Sequence, residues 1–348
     1  MLSSTRIQSK MSTDYNQVFK LQVGDTAGVS DYLTNLGFLQ ESEKIEKVET
    51  AGEGNMNVVL RVISNKRSFI LKQSLPWVRK FPEVEAPVQR IGFENRFYQI
   101  VRSNETLRKF TPEIYFFDDD NLMLCFEDFG AAKDFTSIYR KGVEISKTDM
   151  ADIARVVSEL HFQFRTDKGL SSIENRELRA LNHQHIFQLP LAEDNGLDLD
   201  SVLSGLQRAT EKFRKDERLK AKAAELGNLY LNGEGTRLLH GDYYPGSWLK
   251  TDNGFRMIDP EFCFTGLPEF ELGVAVAHLK MAQQKDSLSK EMFVYYHFDS
   301  RFDGGLFSKF AGIEVIRRII GLAQLPLDLT LKERLDLLDE AYEWVVKG

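Results

Sequence analysis

Two aspartates seventeen positions apart carry the chemistry of this chain: Asp242, in the run HGDYYPGS, and Asp259, in IDPEF. Residues 248–250 and 255–258 read as two short strands between them, joined by a turn at Asp252, Asn253 and Gly254. That layout suits phosphoryl transfer from ATP. The transition state of that reaction is loose, so the protein's task is positioning and charge neutralisation. Asp242 would meet the attacking hydroxyl, and Asp259 would hold Mg2+ on the phosphates. Glu261 lies two positions further on and can converge on the same cation, because Mg2+ takes oxygen ligands and keeps several waters. The plainer alternatives are a loop aspartate capping a turn and an Asp-Pro turn with a solvated glutamate.

Further candidates lie on either side of this run. Ser247 stands five residues after Asp242, where protein kinases place a metal-binding asparagine; serine is the weaker ligand, so that role can pass to Glu261. The loop AGEGNMN joins two strands and does not open a helix, so it is not a P-loop of the Walker type. Gly52 and Gly54 would let the backbone approach a phosphate, or would simply make a hairpin turn. Lys72 ends the strand SFILKQ; it is either solvated or an ammonium directed at the α- and β-phosphates. Glu94 follows in RIGFENRFY. It either orients Lys72 or forms a surface helix pair with Arg90 worth a few tenths of a kcal/mol. The order of glycine loop, lysine, glutamate, hinge, HGD and DPE favours the functional readings.

Arg317 and Arg318 sit in EVIRRIIGLA on a late helix. Neighbours on a helix are about 100° apart, so one can face a site while the other flanks it. Forked guanidiniums can hold a polyol or an anionic group, or the two are surface charges. His183 and His185 alternate in NHQHIF without a third ligand at a useful spacing, which speaks against zinc. His278, on an apolar helix, reads as a core or supporting residue.

The elements needed to position these groups are legible. A helix is expected over residues 28–38, then strands over 44–50, 58–64 and 68–73. A helix over 87–102 follows, and then two apolar strands around the acidic turn DDDN. This is a small antiparallel sheet of about five strands with one helix inserted. EDFGAAKDF is rich in small residues and serves as a hinge. In TDMADIARVVSELHFQF, Ile153, Val156, Val157 and Leu160 recur at helical spacing, with Thr148 or Ser146 as cap. One or two helices are expected over 200–231, and others near 270–284, 306–322 and 331–346. A sheet-rich first third and a helical remainder make an α+β, two-lobe plan. Its expected parts are a flexible tail over 1–15, an N-terminal lobe over 16–128 and a C-terminal helical lobe over 129–348.

Composition sets outer bounds. With 348 residues there is room for two lobes, 42% apolar and 28% charged residues are ordinary for a globular chain, and a net charge of −7 argues against a nucleic-acid partner. Cys125 and Cys263 lie in apolar runs and fit buried thiols of a reducing compartment. No apolar run reaches the ~20 residues of a membrane span, and the first residues lack a secretory apolar stretch. A cytoplasmic protein without a membrane partner is expected, with a homodimer left open.

These residues together resemble the aminoglycoside phosphotransferase and choline kinase superfamily, which has the protein-kinase-like fold. Within it the likeness is greatest to the methylthioribose kinases. The matching motifs are GNxN (Gly54, Asn55, Asn57), KQxxP (Lys72, Gln73, Pro76), RxxxE (Arg90, Glu94), HGDxxxGS (His240 to Ser247), DPEF (Asp259 to Phe262) and RRIxG (Arg317 to Gly321). They run from about residue 50 to 322. The resemblance implies that Asp242 is the catalytic aspartate, that Asp259 and Glu261 hold Mg2+, and that Lys72 binds phosphate. It implies nucleotide contacts in the glycine loop at Gly52, Gly54, Asn55 and Asn57. It also implies an adenine clamp from the backbone of Phe126, Glu127 and Asp128, and Arg317 and Arg318 against a sugar.

Two departures fall on the acceptor side. Tyr243, Tyr244 and Pro245 replace leucine-histidine-threonine, and Glu85 and Ala86 stand near the place of a flap tryptophan. The expected activity is ATP- and Mg-dependent phosphorylation of a small-molecule hydroxyl, on a sugar or polyol related to methylthioribose. Tyr243 and Tyr244 are expected to shape the acceptor pocket so that methylthioribose itself is a poor substrate. The alternatives are an aminoglycoside or amino-alcohol kinase, and a nucleotide-binding kinase-like protein without catalysis. A protein kinase is disfavoured by the absence of HRD, DFG and APE.

Overall fold

A computed structural model of the protein describes residues 15–52 and 54–348. The tail expected over 1–15 lies outside the described residues except for Tyr15. The chain divides into two compact units: the described residues up to 95 with 113–130, and residues 96–112 with 131–348. Residues 96–112, expected in the first lobe, therefore belong with the second unit, and the division falls within the helix Arg90–Val101.

In the first unit the helix Thr26–Asn35 starts where Asp25 accepts the Gly28 N–H at 2.9 Å. Its Val29 and Leu33 pack on a five-stranded antiparallel sheet. The strand order is Ile45–Thr50, Val58–Ser64, Ser68–Gln73, Met123–Glu127, Ile114–Asp118. Val58–Ser64 shows the alternating burial of a strand with one solvated face. Ser68–Gln73 and Met123–Glu127 lie at and beside the sheet centre and are buried almost throughout, which explains their unbroken apolar runs. Leu60, Val62, Phe69, Leu71, Met123 and Cys125 form the core between this sheet and the helix. The sheet thus carries Lys72 at its middle. A short hairpin, Trp77–Val78 with Phe81–Glu85, occupies a stretch to which the sequence assigned no element. Two and five residues are too few to show a period.

The second unit is mainly helical. Lys147–Gln163 is capped by Ser146, whose hydroxyl accepts the Asp149 N–H at 3.1 Å, and Thr148 lies inside the helix. Ile153, Val156, Val157 and Leu160 are all buried, as their spacing predicts. The helix Gly304–Ile320, which carries the paired arginines, packs between Pro268–Met281 and Leu331–Lys347. Arg176–His183 and Asp286–Tyr295 are helices that the sequence did not announce. The first buries Arg179 and Asn182 beside Leu178, so its inward face is polar and breaks the apolar period. Among the described residues no helix is long and apolar enough to cross a membrane.

Candidate active site

In the first unit, Lys72 extends from the third strand to Glu94 on the following helix, with Nζ 2.6 Å from Oε2. The lysine side chain is 2% exposed and the glutamate 0%, so both surface readings fall. Lys72 pairs with Val59 on one neighbouring strand and with Leu124 on the other, which fixes where its side chain begins. Arg90 is not Glu94's surface partner either. It is fully buried and donates from Nε to Asn57 Oδ1 at 2.9 Å, from Nη2 to the Met56 carbonyl at 2.9 Å, and from Nη1 to the Leu75 and Pro87 carbonyls, each at 2.8 Å. Arg90 is therefore the brace of the glycine loop, a role the sequence reading missed.

Asn57, expected against the nucleotide, is 1% exposed, and its Oδ1 also accepts from Ser74 Oγ at 3.4 Å. Its side chain ties the loop to Arg90 and Ser74. Gly54 is required where it stands, because a Cβ there would lie 2.6 Å from the Asn57 carbonyl oxygen. Asn55 is exposed and its carbonyl accepts the Lys80 N–H at 3.0 Å, tying the short hairpin to the loop. Gly52 is exposed with open space around it. At the end of the last sheet strands, Phe126 is buried, and the Glu127 N–H bonds to the Glu113 carbonyl at 2.9 Å. The Asp128 carboxylate takes Arg61 in a fork, at 2.8 Å from Nε and 3.0 Å from Nη2. Its side chain is thereby committed to Arg61 and to the Gly130 N–H at 3.0 Å.

In the second unit the HGD segment is braced from several sides. Gly241 has φ +87°, and a Cβ there would lie 2.1 Å from the Phe262 carbonyl oxygen, so only glycine fits. Its N–H donates at 2.7 Å to Glu271, whose other oxygen contacts His161 Nε2 at 2.7 Å. His240 Nε2 bonds to the Ile258 carbonyl at 2.8 Å, and the Ile258 N–H donates to the Ser247 carbonyl at 3.0 Å. These two bonds join the Asp242 loop to the residue before Asp259. The strands Trp248–Thr251 and Gly254–Met257 form the intervening hairpin, close to the expected layout. Ser247 is buried and donates its hydroxyl to the Asp242 carbonyl at 2.8 Å, so its proton serves the loop.

Asp259 adopts φ 63°, ψ 45° at the head of the turn Pro260–Phe262. A non-glycine residue in this left-handed region is held there by its surroundings, a pattern common at functional sites. Glu261, 5% exposed, follows in the same turn, and its carbonyl accepts from Asn175 Nδ2 at 2.9 Å. Asn175 also holds the Cys263 carbonyl, at 3.1 Å, and no motif signalled it. Among the described residues no group of three or more His, Cys, Asp or Glu converges as a metal cage. Two hard carboxylates in one turn fit a cation that completes its shell with phosphate oxygens and water.

The Asp242 carboxylate is 23% exposed and faces both arginines. Arg317 Nη2 lies 3.6 Å and Arg318 Nη2 3.4 Å from its Oδ1. Both reach it, where sequence had one facing and one flanking. Burial pushes the Asp242 carboxyl above its ordinary value, with Arg318 and Arg317 pulling the other way. Glu314 lies behind the arginines: its Oε1 accepts from Arg318 Nε at 2.8 Å and its Oε2 meets Arg317 Nε at 2.7 Å. Burial opposes ionisation of Glu314, but the two guanidiniums hold its carboxyl far below the usual range.

His278 completes this group. Its Nε2 is 2.9 Å from Glu314 Oε1 and its Nδ1 is 2.5 Å from the Tyr139 hydroxyl. Burial lowers the His278 pKa to about 4. The ring is then neutral, donating from Nε2 to the carboxylate and accepting from Tyr139. Tyr244 places its ring 5.0 Å from His278 and under Arg318, 4.8 Å from the guanidinium carbon. It belongs with the arginine group. Tyr243 does not: it is fully buried and donates its hydroxyl to the Ile153 carbonyl at 2.7 Å. Its assignment to the acceptor pocket is corrected, since consecutive residues leave the loop on opposite sides.

The fold and this arrangement define a protein-kinase-like phosphotransferase. The sequence profile described as the phosphotransferase enzyme family matches residues 47–305, and the chain belongs to that family. It is a small-molecule kinase acting on a hydroxyl group. It is similar to a methylthioribose kinase of Geobacillus thermodenitrificans, 27% identical over 318 residues, covering 78% of each chain. A methylthioribose kinase of Bacillus cereus is 25% identical over 337 residues, covering 84% of this chain and 83% of that one. Among solved structures, a choline kinase from Cryptosporidium parvum superposes with TM-score 0.54 at 13% identity, covering 93% and 97% of the two chains. A spectinomycin phosphotransferase in complex with ADP and spectinomycin gives TM-score 0.53 at 11% identity, covering 93% and 94%. These two show the fold. Arg317 and Arg318 lie beyond the region the family profile matches.

Proposed function

We propose that this cytoplasmic kinase transfers the γ-phosphate of ATP, bound with Mg2+, to a hydroxyl of a neutral sugar or polyol related to methylthioribose. The observation that carries the acceptor class is the charge balance around Asp242. Two guanidiniums, Arg317 and Arg318, face two carboxylates, Glu314 and Asp242, in ion pairs of 2.7–3.6 Å. The group is already neutral, so it has no surplus positive charge for an anionic acceptor. Its polar edge is made of guanidinium N–H donors, which give the cationic head of choline or an aminoglycoside no acceptor beyond an Asp242 already paired. Many N–H donors beside one carboxylate suit hydroxyls, which accept from the first and donate to the second.

In this reading Asp242 accepts the proton of the attacking hydroxyl, and its raised pKa makes it a better base than a solvated carboxylate. Arg317 and Arg318 hold the non-reacting hydroxyls. Lys72, aimed by Glu94, binds the α- and β-phosphates, and the glycine loop offers backbone N–H groups to the remaining oxygens. The backbone of residues 126–128 takes the adenine. Asp259 and Glu261 would hold Mg2+, which when bound neutralises charge on the phosphates. The alternative of a cationic acceptor is disfavoured by the arginine pair.

The test is ADP release with Mg2+ and ATP against methylthioribose, pentoses, linear polyols, choline and an aminoglycoside. Turnover with a neutral sugar or polyol and none with the cations is expected. Preference for choline or the aminoglycoside would overturn the reading.

A further inference from the structure

The two arginines at Asp242 pose a physical problem. They are adjacent in sequence, carry like charges, are each 6% exposed, and converge on one carboxylate oxygen. Left to themselves, such groups would spread apart or collapse on Asp242 as a tight pair. The structure shows neither. Their Nη2 atoms stand 3.6 and 3.4 Å from Asp242 Oδ1, beyond the 2.7–2.9 Å usual for a charge-assisted hydrogen bond. Their other contacts at the Nη atoms are equally long: Arg317 Nη1 is 3.4 Å from Asn182 Oδ1, and Arg318 Nη1 is 3.5 Å from the Ala323 carbonyl. By contrast, both Nε atoms lie close to the two oxygens of one carboxylate, that of Glu314: Arg318 Nε donates to Oε1 at 2.8 Å, and Arg317 Nε is an ion-pair contact 2.7 Å from Oε2 without hydrogen-bond alignment.

We propose that Glu314 is the positioning residue of the acceptor side: it holds Arg318 by a hydrogen bond to Nε and Arg317 by an ion pair at Nε, and so leaves their Nη ends directed at Asp242 and exchangeable for acceptor hydroxyls. The proposal rests on the acceptor reading above. Helix geometry makes the clamp available, because Glu314 lies three residues before Arg317 and four before Arg318, and both spacings share its face. Glu314 is 1% exposed, so it cannot turn away to water. His278 and Tyr139 fix it from a second helix and a preceding turn. His278 Nε2 donates to Oε1, the oxygen that also takes Arg318 Nε, and Tyr139 holds the far side of the ring. Tyr244 packs tilted against His278 and lies under the Arg318 guanidinium. Glu314, His278 and Tyr139 touch no reacting atom. They act through the arginines.

The experiment compares wild type with Glu314→Gln, His278→Leu and His278→Gln, using the best acceptor of the panel above. Glu314→Gln keeps the shape but removes the charge and turns one oxygen into a donor facing a guanidinium. It should raise KM for the acceptor about 10–100-fold, with kcat within about threefold and KM for ATP within about twofold, because uniform binding is lost and not transition-state binding alone. His278→Leu should shift acceptor KM in the same direction by a smaller factor. His278→Gln, whose amide can still donate to Glu314, should restore it, which mere packing would not predict. This pair decides the matter if Glu314→Gln does not fold.

A second readout needs no turnover. Nitrogen NMR of the arginine side chains should show a slowly exchanging Nε–H signal from Arg318 in wild type, lost or strongly shifted in Glu314→Gln. A protected Arg318 Nε–H signal in a wild type that phosphorylates no member of the panel would sustain the clamp and sink the functional reading. A fast-exchanging Arg318 Nε–H in wild type, or an unchanged acceptor KM in folded Glu314→Gln, would overturn the clamp.

Discussion

Replacing Lys72 with methionine separates a buried nucleotide-site pair from an incidental surface one. The Lys72–Glu94 contact is 2.6 Å long, with side chains 2% and 0% exposed. An exposed pair contributes about 0–1 kcal/mol. Removing one partner of a buried pair leaves a desolvated charge and costs about 3–5 kcal/mol. Methionine fills a similar volume at the middle of the sheet, between Val59 and Leu124, so cavity and pairing terms stay small and the loss reports the removed buried cation. At about 2–4 °C per kcal/mol for a domain of moderate size, the melting temperature should drop by roughly 6–20 °C. Urea unfolding should show the same loss.

The double variant Lys72→Met, Glu94→Leu should recover to within about 1 kcal/mol of wild type, because an apolar pair removes both desolvation penalties. Neither variant should bind ATP normally, since the phosphate cation is gone from both. The reasoning fails if Lys72→Met costs less than about 1 kcal/mol, or if the double variant is no more stable than the single. Restored stability together with restored ATP affinity would leave the pair structural and Lys72 without a phosphate role.

Asp242→Asn should keep ATP binding while kcat falls by roughly 10²–10⁴, as expected for loss of a general base; near-normal turnover would remove Asp242 from the chemistry. Asp259→Ala should weaken MgATP binding in calorimetry, and an unchanged affinity would exclude it as the metal ligand. His278 has a folded pKa lowered to about 4, against about 6.5 unfolded. Its neutral form therefore contributes stability that is intact above about pH 6.5 and is lost as pH falls towards 4, by about 3 kcal/mol in total. His278→Gln should flatten the stability difference between pH 7 and pH 4.5, and an undiminished difference would refute the assignment. Methylthioribose should be turned over with kcat/KM below about 10⁴ M⁻¹s⁻¹, and Tyr244→His should raise it; a high wild-type value would show that the Tyr244 ring does not shape the acceptor site.

Local sequence by itself determined the two-lobe α+β plan, the five-stranded sheet, the helix over Lys147–Gln163 and the identity of Lys72, Glu94, Asp242, Asp259 and Glu261 as the residues to follow. Periodicity and short motifs carry such information because a strand, a turn or a glycine loop is decided by near neighbours. Tertiary structure decided which way each side chain in a motif faces. Tyr243 and Tyr244 are adjacent and equally aromatic, yet one bonds to the Ile153 carbonyl in the core and the other stacks on Arg318. Asn57 sits in a loop motif but is taken by Arg90, thirty-three residues away. Arg317 and Arg318 could not both be assigned to one carboxylate until Glu314 and His278 were seen behind them. The physical reason is common to all of these: a buried polar group must be paired, and its partner comes from whichever element the fold brings alongside, at a sequence distance that no local pattern records.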